Sequence, residues 1–371
     1  MAALPILLSN LCLSIADEGG MSMLGCSVYL SSKLSNSDFE YLKQMKQIGC
    51  HGVFTSLHIP EDDPQVLIDR VTQLGSWCRQ LNLNLIADIS DDGFARLQWR
   101  LDEPDSILAS GVTGLRIDYG ISMQAIATLT HAMPVALNAS TLTQADVEQL
   151  QLFGANFKRL EAWHNYYPRP ETGLARDWFD EKNHWLHQLG ITTQAFIPGD
   201  GGLRGPLFQR LPTLEAHRIY SPLAAFVELI HQGVDRIYIG DKTISKSSQV
   251  ALSQYLTEDV ISLHLDRVSP VLQNLVWHNR PDVARDVVRL EEGRTKQLLD
   301  PTPRNADQPR LRGSLTVDNE RYGRYAGELQ LTKCDLLPDE KVNVLGRVCV
   351  ADRPLLDLIG ANTAIQLIQE E

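Results

Sequence analysis

Eight short apolar runs, each followed by a stretch of helical period, govern what this chain can fold into. The runs occupy residues 24–30, 52–57, 84–89, 114–119, 135–138, 157–163, 192–197 and 236–239. Between the first two, Phe39, Leu42, Met45 and Ile48 recur at helical spacing over 38–48. Ser37 and Glu40 stand where a capping box would place them. Pro64 opens the next helix, and further helices fit 122–131, 144–153, 177–189, 222–232 and 245–257. Strands that read as continuous apolar runs are buried on both faces, which means a parallel sheet covered by helices. Eight such units favour closure into a (β/α)8 TIM barrel. No GxGxxG turn follows the first run, which weakens the alternative of an open nucleotide-binding sheet.

The chain has 371 residues, enough for a barrel of about 250 and a smaller domain of about 100. Composition shifts after about residue 265. Residues 300–312 are rich in Pro and Arg, and short alternating strands follow at 313–317, 327–331 and 342–350. Turn residues separate them, so the α/β barrel is followed by a small β-rich domain. The expected division is an extension over 1–23, a barrel over 24–262 and the β-rich domain over 263–371. The apolar stretch near the start has no preceding Lys or Arg, unlike a secretory signal. It reads as a disordered extension, and Met21 or Met23 could serve as the start. No run is long enough to span a membrane. The six cysteines form no CxxC pair and read as reduced, mostly buried thiols of a soluble cytoplasmic protein. A formal net charge of −12 argues against a nucleic-acid partner but not against a small anion met by a few local cations.

Polar residues gather where the runs stop, which is where a TIM barrel builds its site. Asp88, Asp118 and Asn138 end the third, fourth and fifth runs. Glu161 lies near the end of the sixth, followed by His164 and Asn165, and Asp241 follows the eighth. A carboxylate inside an apolar run is costly unless paired, so several at strand ends imply a shared polar mouth. The second run leads to His58, which suits hydrogen bonding or acid–base work better than metal binding, because no HxH or HxxxH pair accompanies it. After the seventh run comes ProGlyAspGlyGlyLeuArgGlyProLeu. Its Gly201, Gly202 and Gly205 would leave backbone N–H groups for an anion, and Arg204 would add a forked charge. Aromatic residues and Arg169 after the sixth run suit a sugar ring or an acidic group. In the second domain Tyr322 and Arg324 lie in a dense polar and aromatic stretch that could reach the barrel mouth or seal a domain contact.

These stretches resemble one bacterial group. PheThrSerLeuHisIleProGluAsp, HisAsnTyrTyrProArgProGluThrGlyLeu, PheIleProGlyAsp, LeuProThrLeuGluAlaHisArg, IleTyrIleGlyAsp and TyrGlyArgTyrAlaGlyGluLeuGln are its marks, over about residues 24–360. The group was long known as a domain of unknown function, loosely labelled "outer surface protein", and is associated with 6-phospho-N-acetylmuramidase activity. The resemblance implies a TIM barrel followed by a cyclophilin-like β domain. It also implies cleavage of N-acetylmuramic acid 6-phosphate–N-acetylglucosamine in cell-wall sugar recycling; such a hydrolysis needs no metal or organic cofactor.

The residues themselves allow three readings. In the first, a phospho-sugar glycosidase uses Glu161 as acid with Asp88 and Asp118 as partners, and Arg204 with its glycines holds the phosphate. His164, Arg169 or Arg324 would meet the lactyl carboxylate. The partner is then a phosphorylated disaccharide, and a homo-oligomer is left open. In the second, the chain is a phospho-sugar sensor, which would not need paired carboxylates. In the third it is a barrel lyase or aldolase, but Lys158 and Lys242 are poorly placed for a Schiff base.

Overall fold

The computed structural model describes residues 23–57, 64–273, 275–304 and 307–370. His58 and all of the expected extension but Met23 therefore lie outside the described residues. Eight parallel strands close into a barrel in chain order. They are β1 (Met23–Ser27), β2 (Gly52–Ser56), β3 (Asn84–Ile89), β4 (Gly114–Ile117), β5 (Val135–Asn138), β6 (Leu160–Trp163), β7 (Thr192–Ile197) and β8 (Arg236–Ile239). Helices cover the outside: α1 (Asn36–Gln47), α2 (Pro64–Leu81), α3 (Asp91–Leu97), α4 (Asp105–Ala109), α5 (Met123–Leu129), α6 (Gln144–Leu152), α7 (Arg176–Gln188), α8 (Pro222–His231) and α9 (Lys246–Glu258).

The first helix starts earlier than its sequence signals suggest. Ser35, not Ser37, caps α1, and both its N–H and its hydroxyl donate to Asp38 (2.8 and 2.6 Å). Asp38 answers from the third helical position as well as Glu40 would have, so a capping box alone leaves the register open. The run at 157–163 also divides. Phe157–Arg159 forms a turn of 3-10 helix and only Leu160–Trp163 pairs as strand. Glu161 is thereby the second residue of β6, near its beginning.

The barrel interior is an aromatic plug of Phe54, Trp163, Phe196 and Tyr238, with Ile86 and Ala136. Trp163 and Tyr238 have centroids 4.8 Å apart, and Phe54 and Phe196 meet edge-on at 5.2 Å. The glycines of β1 and β2 make room for it. A Cβ on Gly25 would come within 2.3 Å of the Tyr238 ring, and one on Gly52 within 2.3 Å of its hydroxyl. The outward faces carry the Leu, Val and Ile side chains that meet the helices, as in any barrel with a filled core.

The second domain contains a three-stranded sheet and a four-stranded sheet. Its strands are β9 (Val260–Leu265), β10 (Val276–His278), β11 (Val287–Leu290), β12 (Ser314–Asp318), β13 (Leu329–Thr332), β14 (Val342–Arg347) and β15 (Ala364–Gln369), with the short helices α10 (Gly293–Lys296) and α11 (Leu355–Leu358). β9 pairs in parallel with β15, the last strand of the chain. It therefore belongs to the second domain, ahead of the boundary expected at 263. The domain seats beside α8 and α9. Ser221 N–H donates to the Ala351 carbonyl (2.9 Å), and His264 bridges Ser247 (2.9 Å) and Asp352 (2.7 Å). Asp352 raises the pKa of His264.

Candidate active site

The open end of the barrel, at the C-terminal ends of the strands, presents one connected polar group. Along β3 and β4, Asp88 and Arg116 lie opposite each other in register. Arg116 is almost fully buried, and its Nη1 lies 2.6 Å from Asp88 Oδ1 and 3.8 Å from Asp118 Oδ1. Its Nη2 donates to the side-chain oxygen of Asn165. Three strands thus hang their polar ends on one guanidinium. A buried charge of this kind persists only with close partners, which explains why an arginine sits inside the run LeuArgIleAsp. Asp118 keeps 31% of its side chain exposed against 12% for Asp88, so it is the carboxylate that faces the opening. Asn138 ends β5, and its Oδ1 accepts from Ser140 N–H (3.0 Å).

Across the mouth, Arg204 stacks on Tyr29 with its guanidinium carbon 3.8 Å from the ring centroid, and it donates to the Tyr166 hydroxyl. Tyr29 in turn donates to the Gly240 carbonyl, and burial raises its pKa well above that of an ordinary phenol. Both tyrosines pack on the aromatic plug. The plug is therefore the floor of the site, and Arg204 is a cation fixed at its edge by two rings. Neither Arg116 nor Tyr29 is among the expected site residues, and Tyr166 enters only as one of the aromatic residues after the sixth run. The available signals were an arginine within a buried run and tyrosines just beyond strand ends.

Glu161 is not part of this group. One row of paired residues runs Ser56, Asp88, Arg116, Ala136, Glu161 from β2 to β6. Barrel strands tilt by about 36°, so a row that starts at the mouth descends as it circles. It reaches β6 near the beginning of the strand. There Glu161 binds Arg236, at the start of β8 (3.0 Å), and accepts from Trp163 Nε1 (2.7 Å). Trp163 lies one inward position above it. A proton on Glu161 has no path to a substrate at the mouth, so the acid role expected for it is withdrawn.

Four other expectations change. His164 follows inward-facing Trp163, so it points outward. It is fully buried against Phe179 and bonds Asn183 (2.8 Å). Burial lowers its pKa to about 4. Asp241 is also fully buried and acts as a loop anchor. Its two oxygens accept from the backbone N–H groups of Gly199 (2.9 Å), Leu211 (2.9 Å) and Arg204 (3.1 Å). The glycine loop does not offer a ring of free amides. Gly201 N–H donates to the Thr243 carbonyl and Gly202 N–H to the Thr243 hydroxyl. Gly205 precedes Pro206, which has no N–H, and the Arg204 side chain reaches the mouth. In the second domain, Tyr322 donates to Asp339 (3.3 Å) and Arg324 to the Tyr325 hydroxyl (2.9 Å), both within that domain. Arg169 is exposed in the loop after β6, where its carbonyl accepts from Thr172 and Arg218. Among the described residues no group of three or more His, Cys, Asp and Glu could hold a metal ion, and no helix is long and apolar enough to cross a membrane.

Two family models match nearly the whole chain: "6-phospho-N-acetylmuramidase, N-terminal" over residues 24–254 and "6-phospho-N-acetylmuramidase, C-terminal" over 260–368. The chain belongs to the 6-phospho-N-acetylmuramidase family. Two solved structures resemble it along their full length. A conserved protein of unknown function from a locus in Enterococcus faecalis is 41% identical, with a TM-score of 0.85, over 94% of this chain and 97% of the other. An uncharacterized B. cereus protein is 25% identical, with a TM-score of 0.72, over 94% of this chain and all of the other. No functionally curated protein matches the chain. The first family model ends within α9 and the second begins at Val260, the first residue of β9.

Proposed function

We propose that this protein hydrolyses the glycosidic bond between N-acetylmuramic acid 6-phosphate and N-acetylglucosamine. The observation that carries this reading is the pair Asp88 and Asp118, braced on Arg116 at the open end of the barrel. Asp118 has the more open carboxyl and donates the proton to the leaving oxygen as the glycosidic bond breaks. Asp88, in contact with the Arg116 guanidinium, faces the positive charge that builds at the anomeric carbon. Because both oxygens approach one nitrogen, they lie no further apart than the sum of its two contacts, 2.6 and 3.8 Å. The two carboxylates therefore share one site, close enough to act on the same glycosidic bond. Arg204 takes the phosphate. A planar guanidinium fixed by two tyrosines offers its remaining N–H groups in a fork suited to phosphate oxygens. Recycling of cell-wall sugars inside the cell is the setting this reaction fits.

The test supplies purified protein with phosphorylated and unphosphorylated disaccharide and follows sugar release. Turnover of the phosphorylated form alone is expected. Asp118→Asn should slow it by about 10²–10⁴-fold, the usual contribution of a general acid, without loss of fold. Release of no sugar from either disaccharide, or equal turnover of both, overturns the proposal.

A further inference from the structure

We infer that the outer wall of the barrel carries a second binding site, separate from the mouth, for the ring of an uncharged sugar. A cleft of about 440 Å³ opens between α7 and the segment that leads into α6. Its size falls within the roughly 300–1,000 Å³ of small-molecule sites. The helix supplies one wall. Trp178, Lys182 and Trp185 stand four and three residues apart, on one face of α7, with Glu181 beside them. Phe179 and Leu186 turn the opposite way into the core, so the helix exposes its indoles while burying its other apolar residues. Residues 140–144 form the facing wall.

The two indoles are not equivalent. Lys182 Nζ lies 4.1 Å above the Trp185 ring and donates to the Leu142 carbonyl (2.6 Å), so Trp185 is already covered. Trp178 is 41% exposed, and the buried His164 ring meets it edge-on with centroids 6.4 Å apart. It is the open platform. Pyranose rings present C–H faces to such a surface and hydroxyls around their rim. The cleft meets that rim with polar groups. Ser140, Thr141, Thr143 and Gln144 line it. Glu181 and Lys182 add one charge of each sign. Their balance selects an uncharged ligand, in contrast to the cationic edge that Arg204 gives the mouth.

The cleft is also tied to the mouth. Asn138 Oδ1 accepts from Ser140 N–H, and its carbonyl accepts from the N–H groups of Thr141 (3.2 Å) and Leu142 (3.0 Å). The segment that lines the cleft therefore hangs from a residue at the end of β5. A sugar bound there sits one short loop from the reaction site. This inference rests on the cleft's own residues and stands whether or not the proposed hydrolysis is correct.

The test titrates the full chain with cellobiose and with chitobiose, both unphosphorylated, and follows the indole N–H resonances of Trp178 and Trp185. Saturable shifts at these two indoles are expected. They should disappear in Trp178→Ala, while hydrolysis of the phosphorylated disaccharide is unchanged in that variant. Indoles that neither disaccharide moves would overturn the inference. So would shifts that follow protein concentration alone, which would show that a second copy of the chain fills the cleft.

Discussion

Glu161→Gln separates the geometry found here from the role its sequence position suggested. The Glu161 and Arg236 side chains are 7% and 22% exposed, and the carboxylate also receives the Trp163 indole N–H. Removing one partner of a buried ion pair typically costs 3–5 kcal/mol, because the other charge is left uncompensated. Gln keeps one oxygen acceptor, so the expected loss lies at the lower end, about 3 kcal/mol. Urea unfolding at fixed pH reads this as a lower midpoint with unchanged slope. Turnover of the folded fraction should stay within about threefold of the unmodified enzyme, because no transition-state contact is removed. Replacing both partners, Glu161→Met with Arg236→Met, should recover most of the stability, since apolar pairs often substitute for buried ions at little cost. A hundredfold fall in kcat with an unchanged midpoint would refute the reasoning and return Glu161 to the chemistry.

Two further outcomes test other parts of the molecule. Arg204→Met keeps the side chain's bulk over Tyr29 but removes the charge. It should raise KM for the phosphorylated disaccharide by roughly 10- to 100-fold, the equivalent of about 1.5–3 kcal/mol for hydrogen bonds to a charged group, with a smaller effect on kcat. His164 is buried neutral, with its pKa lowered to about 4 from 6.5, so between those values the unfolded chain binds a proton that the native one does not. Its contribution to stability is complete above about pH 6.5 and declines as pH falls towards 4, by up to about 1.4 kcal/mol per unit. His164→Gln should therefore flatten the fall in unfolding free energy between pH 6.5 and 5 relative to the unmodified protein. Parallel curves for the two would count against burial as the cause.

The barrel was legible because parallel strands covered on both faces have to be apolar throughout. The runs at 84–89, 135–138, 192–197 and 236–239 match observed strands end to end. The second domain was less so. β12, β13 and β14 alternate and carry turn residues between them, but β9, β10, β11 and β15 escaped notice. β9 and β15 lie at opposite ends of the domain sequence, and only their pairing makes them neighbours. Within the site, Asp88 and Asp118 could be read from charges at the ends of apolar runs. The glycines of the loop after β7 misled, because a sequence shows which amides exist but not which are spent. Here Asp241 takes the amide of Gly199, and Thr243 takes those of Gly201 and Gly202.

By itself the sequence determined the eight-fold repeat, the closed parallel sheet and the end of it where polar residues collect. Those follow from periodicity and from the cost of burying charge, which act on local stretches of chain. The tertiary structure alone decided which of those residues share a space. Strand tilt carries the row from Asp88 at the mouth down to Glu161 beneath Trp163, and side-chain alternation turns His164 away from the residue before it. Alternation is already a property of one strand, but the tilt, and which face of the strand looks inward, belong to the closed barrel and cannot be computed from one strand at a time.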